Sequence, residues 1–217
     1  MRRFGELLDQ VLFPHDCLIS ITAAMEDGKE VECAIIGAEG IAHAYAGFGV
    51  DCAITDSTVQ IAGSATQISV VDFRRVLRQS ELLREHAARC DALLMAQMHQ
   101  SAACNALHEV EARMCRWLLE IDDRSRGGRF PMKQESLARM LGVRRTTVTL
   151  VAKRLQQAGA FRWRRGYVHL LRRDLVAERS CGCYDRVRLC AERMVSEPSS
   201  LQAKAERDLR ALASPAH

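Results

Sequence analysis

The reading of the fold turns on KQESLARMLGVRRTTVTLVAKRLQ, residues 133–156. The spacing predicts one short helix from about Lys133 to Leu141, a turn around Gly142, and a second helix from about Arg145. Gly142 suits the turn because a residue in the left-handed region ends the first helix, and glycine enters it without a Cβ clash. Ala138 is small enough to let two helices approach. Leu137, Leu141, Val143, Val148 and Leu155 supply a shared apolar face. This is the pattern of a helix-turn-helix, two short helices crossing steeply around a tight turn.

The residues that follow sharpen the pattern. Ala158-Gly159 ends the second helix, and Phe161–Arg165 and Tyr167–Leu171 read as two strands around Gly166, a hairpin wing. Between Ser125 and Asp174 there are thirteen Arg or Lys against two acidic residues, a balance of +11; the chain as a whole is +4, which leaves −7 for the rest. A basic segment on an acidic protein is the footprint of a polyanion-binding module, the alternative being a solvated basic face. Double-stranded DNA is the expected partner. The residues expected to touch it are Gln134, Arg144, Arg145, Thr146, Thr147, Thr149 and Lys153 from the helix pair, and Arg162, Arg164 and Arg165 from the wing. Arg145, Thr146 and Thr149 would enter the major groove, where Arg pairs bidentately with guanine and Thr uses its methyl on thymine or its hydroxyl on phosphate. The wing guanidiniums would grip phosphates.

Upstream, residues 17–71 read as short strands broken by glycine at about ten-residue spacing, a small antiparallel roll. CLISITAA and EVECAIIG flank Asp27-Gly28, a hairpin turn signal. A short helix is expected from Asp72, which would cap it. A long one is expected from Glu81 to about Asn105, capped by Ser80 and free of Gly and Pro. Leu83, Ala87, Cys90, Leu94, Gln97 and Ser101 form a narrow seam on it, suited to pairing with a second copy of the chain or to packing on the chain's own roll. Glu109–Asp122 carries one apolar face at helical period. The fold class is therefore α+β: a roll over 1–79, a dimerisation helix over 80–107, a winged helix-turn-helix over 108–175 and a helical tail over 176–217.

This order resembles the Crp/Fnr superfamily of transcription regulators. The resemblance is carried by FPHDCLISI, MEDGKEVE, GAEGI, SAACNALHEVEARMCRWLL, QESLARMLGVRRTTVTL and RSCGCY, and it spans about Phe13 to Tyr184. It implies a homodimer, palindromic DNA and control of RNA polymerase. Members have more roll before the equivalent of FPHDCLISI, so the chain is expected to be short at its front. The family's cyclic-nucleotide pattern, a Phe-Gly-Glu turn followed by Arg, is missing: Phe4-Gly5-Glu6 precedes the roll, and Gly47-Phe48-Gly49 has no Arg after it before Arg74. Cyclic AMP is therefore not expected as the signal. Thr146 and Leu150 stand where better-known members carry Glu and Arg, so a different operator is expected.

Nine cysteines, an odd number with no C-x-x-C pair, read mostly as small buried thiols rather than a disulfide framework. Cys181 and Cys183 are either a redox pair or small residues where the chain leaves the DNA domain. Cys104 and His108, four apart, are weak metal or haem candidates, His108 alternatively capping the next helix. Cys17, Cys33 and Cys52 lack iron–sulfur spacing, and no cofactor is expected. A winged-helix DNA alkyltransferase would need a Pro-Cys-His run; the chain has Pro14-His15-Asp16-Cys17, with no Walker or dinucleotide loop, so an enzyme is not expected. A thiol- or metal-responsive module with secondary DNA binding is the other reading. No apolar run spans a membrane and MRRFGELLDQ is no secretory signal, so a cytoplasmic protein is expected.

Overall fold

A computed structural model describes residues 2–125 and 128–196, with side chains described as far as Met194. The remainder of the expected tail, from Glu197 onward, lies outside the described residues.

The first part is a roll. Strand β1 (Gln10–Pro14) pairs antiparallel with β5 (Ala65–Ser69), and β2 (Leu18–Ala24) lies between β3 (Glu30–Ile36) and β4 (Asp56–Ile61). The Asp27-Gly28 turn forms as expected, with Gly28 at φ 80°. Three local expectations are corrected. Residues 44–48 form a 3₁₀ turn, not a strand. β1 forms before the region read as strands, because its Val11 and Leu12 find cover only in residues far along the chain. Helix α1 (Val70–Gln79) starts two residues before Asp72, capped by Ser69, whose hydroxyl accepts from the Asp72 N–H.

A bulge in the β2–β3 ladder pairs Ile21 with Ala34 and Thr22 with Glu32, leaving Cys33 unpaired. The extra residue reverses the side-chain alternation. It turns Glu32 to the face of Ile35, which packs in the core of the C-terminal half.

Helix α2 (Glu81–Leu107) runs for 27 residues, opened by Ser80, which accepts from Leu83 N–H. Of the two surfaces expected to cover the α2 seam, a second copy or the chain's own roll, the roll is the one that does. Ala87, Cys90, Gln97 and Ser101 are buried, and Leu83 and Leu94 half-buried, within the chain itself; Leu83, Ala87, Cys90 and Leu94 pack on its own roll. Gln97 Oε1 accepts from the Ile35 N–H, tying α2 to β3. The seam's width could not show which surface would cover it; the roll is the nearer one.

Helix α3 (Val110–Arg124) follows, then β6 (Arg129–Pro131), α4 (Gln134–Leu141), α5 (Arg145–Gln157), β7 (Phe161–Arg164), β8 (Tyr167–Leu170), α6 (Arg173–Glu178) and α7 (Cys183–Ala191), the last running into a π-helical turn to Ser196. Glu109 takes the capping position of α3, and His108 ends α2 instead of opening α3. Trp117, Phe130, Phe161, Leu137 and Val148 make one core under α3, α4, α5 and the wing. Each such aromatic or aliphatic side chain contributes roughly 1.5–3 kcal/mol by leaving water.

Candidate nucleic-acid interface

Gly142 ends α4 at φ 62°, and the chain turns directly into α5. The buried Arg113 guanidinium donates to the Leu141 carbonyl, satisfying one of the orphan acceptors at that helix end. Val148, Val151 and Leu155 bury one side of α5, so its other side is left to solvent. Arg144, Arg145, Thr146, Thr149 and Lys153 are exposed there, and Thr147 and Gln134 are half-buried. Arg145 Nη1 lies 3.1 Å from Glu135 Oε1, and the Thr149 hydroxyl donates to Gln134 Oε1 at 2.9 Å. These contacts pre-set the side chains at the front of α5. Both are exposed and so weak enough to be exchanged for nucleic acid.

Leu150 is 61% exposed in the middle of the same surface. The family resemblance sets Leu150 where other members carry Arg, and its place one step after Thr149, off the buried 148–151–155 face, exposes it on this surface.

The wing is a three-stranded sheet in the order β6-β8-β7; β6 is only three residues long and finds its partner β8 about forty residues further on. Arg165 lies in the hairpin turn, not on a strand: Arg165 (φ 51°) and Gly166 (φ 78°) make the two positive-φ residues of a two-residue turn. Trp163 holds the hairpin down, donating from Nε1 to the Met132 carbonyl at 2.8 Å, while its backbone N–H donates to Gln156 Oε1 of α5. Arg162, Arg164 and Arg165 are exposed and line an open cleft of about 350 Å³ with Arg129, Tyr167 and His169. Arg129 stacks on Tyr167 at 4.6 Å. Wing and α5 both present cations to solvent.

That arrangement has a match. Residues 112–179 match the Crp-like helix-turn-helix domain. The fold of the larger part of the chain agrees. FixK2 from Bradyrhizobium japonicum superposes with a TM-score of 0.71 at 13% identity, over 83% of this chain and 92% of that one. A CRP-family transcriptional regulator from Thermus thermophilus gives 0.66 at 18%, over 83% and 92%. The c-di-GMP responsive global regulator CLP of Xanthomonas campestris gives 0.60 at 20%, over 77% and 87%. The chain shares the fold of these proteins, with roll, long helix and Crp-like domain in that order. None of the curated proteins matches the sequence.

Where the Crp/Fnr resemblance pointed to a missing nucleotide arginine, Arg74 reaches the Gly47–Asp51 turn from α1. Its Nε donates to the Ala46 carbonyl and its Nη2 to Asp51, both at 2.7 Å. It is engaged by the protein's own acceptors. Among the described residues no helix is long and apolar enough to cross a membrane.

The structure also joins two pairs that the sequence kept apart. Cys104 and His108, at the end of α2, meet Cys181 and Cys183, at the joint between α6 and α7 just beyond the matched residues of the Crp-like domain. All four donor atoms lie within 4.8 Å of one another. Cys104 and Cys181 sulfurs are 3.5 Å apart, as are Cys183 Sγ and His108 Nδ1. A proton shared between Cys104 and Cys181 holds the Cys181 thiol low and pushes Cys104 up, with burial adding to the rise. α7 is held against α3 from the other side. Arg173 Nε pairs with Asp122 at 3.0 Å, and Arg173 also pairs with Asp123 and donates to the Tyr184 hydroxyl.

Proposed function

We propose that the protein is a non-catalytic Crp/Fnr-type transcription regulator that binds palindromic double-stranded DNA as a homodimer in the cytoplasm and acts on RNA polymerase. The observation that carries this reading is the set of exposed groups on α5 and the wing: Arg144, Arg145, Thr146, Thr149, Leu150 and Lys153 on the helix, and Arg162, Arg164 and Arg165 on the hairpin, all on a Crp-like domain. The helix front has the groups that read base edges, and the wing has the charges that suit flanking phosphates. Thr147 and Gln134, half-buried at the edge of this surface, are taken as further DNA contacts, with Gln134 also accepting from the Thr149 hydroxyl.

The second copy is proposed to dock on the face of α2 that the roll leaves open. Ala88, Ala92, Met95, His99, Ala102 and Ala106 recur at alternating spacings of four and three, and all but the half-buried Ala92 are exposed. This is the 3.5-residue repeat of a helix pairing with itself. It lies roughly 140° around the helix from the roll-facing line, at about 100° per residue. Small side chains there let two helices come close.

Selection of bound duplexes from a random pool, followed by sequencing, tests the reading. Enrichment of an inverted repeat with half-site centres about one helical turn apart is expected, because two symmetric recognition helices must enter successive major grooves. Binding without any enriched sequence would reduce the protein to a phosphate clamp and end the regulator reading.

A further inference from the structure

Cys104, His108, Cys181 and Cys183 belong to none of the elements that present cations on α5 and the wing, and they converge at the α2 end and the α6–α7 joint. We propose that they bind a single Zn²⁺ ion in a three-thiolate, one-imidazole site that pins the last turn of α2 to the α6–α7 joint.

The donor spacings are compatible with a four-coordinate zinc site. Zinc bonds of about 2.3 Å to sulfur and about 2.0–2.1 Å to nitrogen set edges of about 3.8 Å between two sulfurs and about 3.6 Å between sulfur and nitrogen. Here the Cys104–Cys181 edge is 3.5 Å and the Cys183–His108 edge 3.5 Å, with every donor within 4.8 Å of the others. Donors no more than 4.8 Å apart would have to close by at most about 1 Å to reach those edges. A multi-iron cluster spreads its four terminal ligands over two or more irons and so needs a wider cage. Three thiolates and an imidazole suit zinc, whereas magnesium and calcium take oxygen donors.

The surroundings fit as well. Cys104 is 0% exposed, Cys183 3% and Cys181 9%, and Ala112 packs against this group, so the sulfurs are shielded from water. His108 is exposed and gives the ion its way in. Gln100 Nε2 donates to Cys183 Sγ at 2.9 Å, the outer-shell contact that orients a ligating sulfur. Binding would release the thiol protons to solvent as the three sulfurs take up the ion. The two halves of the site come from segments more than seventy residues apart, so the ion would close a long loop across the junction between α2 and the Crp-like domain.

The test is cobalt uptake by the full-length, reduced, chelator-treated protein under anaerobic conditions. One Co²⁺ per chain is expected, with the visible bands of a tetrahedral thiolate site, displaced by Zn²⁺. The double variant C181S/C183S should lose the bands, and C190S, outside the site, should keep them. Because removing two buried thiols can disturb folding, His108→Ala and Gln100→Ala are measured beside it. His108 is exposed, so its loss should leave the helical circular dichroism unchanged. Gln100→Ala should weaken the metal by roughly 10–100-fold, and His108→Ala by more, since it removes a ligand and not an outer partner. Reduced wild type that takes up no cobalt, or uptake indifferent to His108→Ala and to C181S/C183S, overturns the site. Metal uptake is read without DNA, so its failure and failure of the regulator reading are separate results.

Discussion

Arg145 and Arg164 carry the same charge, yet their positions ask different things of them. Arg145 stands in the first turn of α5, its guanidinium parked on Glu135 at 3.1 Å. An exposed pair of that kind is worth about 0–1 kcal/mol, so a guanine edge can take it over. Replacing Arg145 by Ala should cost roughly 1–3 kcal/mol and relax preference at one position per half-site. Arg164 ends β7 beside the hairpin turn, where a backbone phosphate is its expected contact. Its replacement by Ala should weaken all sequences about equally and lower the slope of log K against log salt by about one unit. Binding isotherms on the selected site and on a scrambled duplex at several salt concentrations separate the two. Equal, sequence-blind losses from both variants would mean that α5 does not read bases.

Helix α2 covers the roll with one line of residues and leaves another line exposed, the face proposed above for a second copy. Its low overall amphipathicity follows from having apolar or small residues on most sides. The 87–90–94 line meets the roll and continues through Gln97 to Ser101, while the 88–92–95–99–102–106 line stays open. A charge at Met95, which is 54% exposed, should therefore leave the fold intact and separate the copies. Met95→Glu places two carboxylates near the two-fold axis; sedimentation equilibrium should give a monomer with unchanged helical content. Leu94→Asp, one residue away, buries its charge against the cluster of Ile19, Ile21 and Ala34 in the roll and should instead lower thermal stability. A Met95→Glu protein that remains dimeric would move the interface off this helix face.

Across the whole molecule, the roll and the Crp-like domain are joined by polar groups that are buried or half-buried. Arg124 Nε meets Glu39 of the roll at 2.6 Å, and Arg116 on α3 reaches Ser101 of α2. Glu32, turned inward by the β3 bulge, lies buried near Glu120 and Arg116, and burial pushes its pKa up to about 8 from 4.5. A carboxyl raised on folding stabilises the fold fully below its unfolded value, and that contribution is lost as pH rises from about 4.5 through about 8. Glu32→Gln keeps the shape and cannot ionise. Its urea midpoint should exceed that of the wild type near pH 8, with the gap closing toward pH 5; parallel midpoints across that window would show Glu32 ionised in the fold. How much of this was legible in the residues follows the range of the forces involved. Gly142, the Asp27-Gly28 turn, the Ser80 cap and the period of α2 and α3 act within a few residues, so the helix-turn-helix, the first hairpin and the succession of roll, long helix and winged domain could be read along the chain. The basic segment was legible too, because charge accumulates locally. The bulge that aims Glu32 inward, the face of α2 that meets the roll, the pairing of β1 with β5 and the meeting of Cys104 and His108 with Cys181 and Cys183 depend on surfaces brought together from distant segments. Each of those residues taken alone fits several environments, and only close packing of the whole chain selects one.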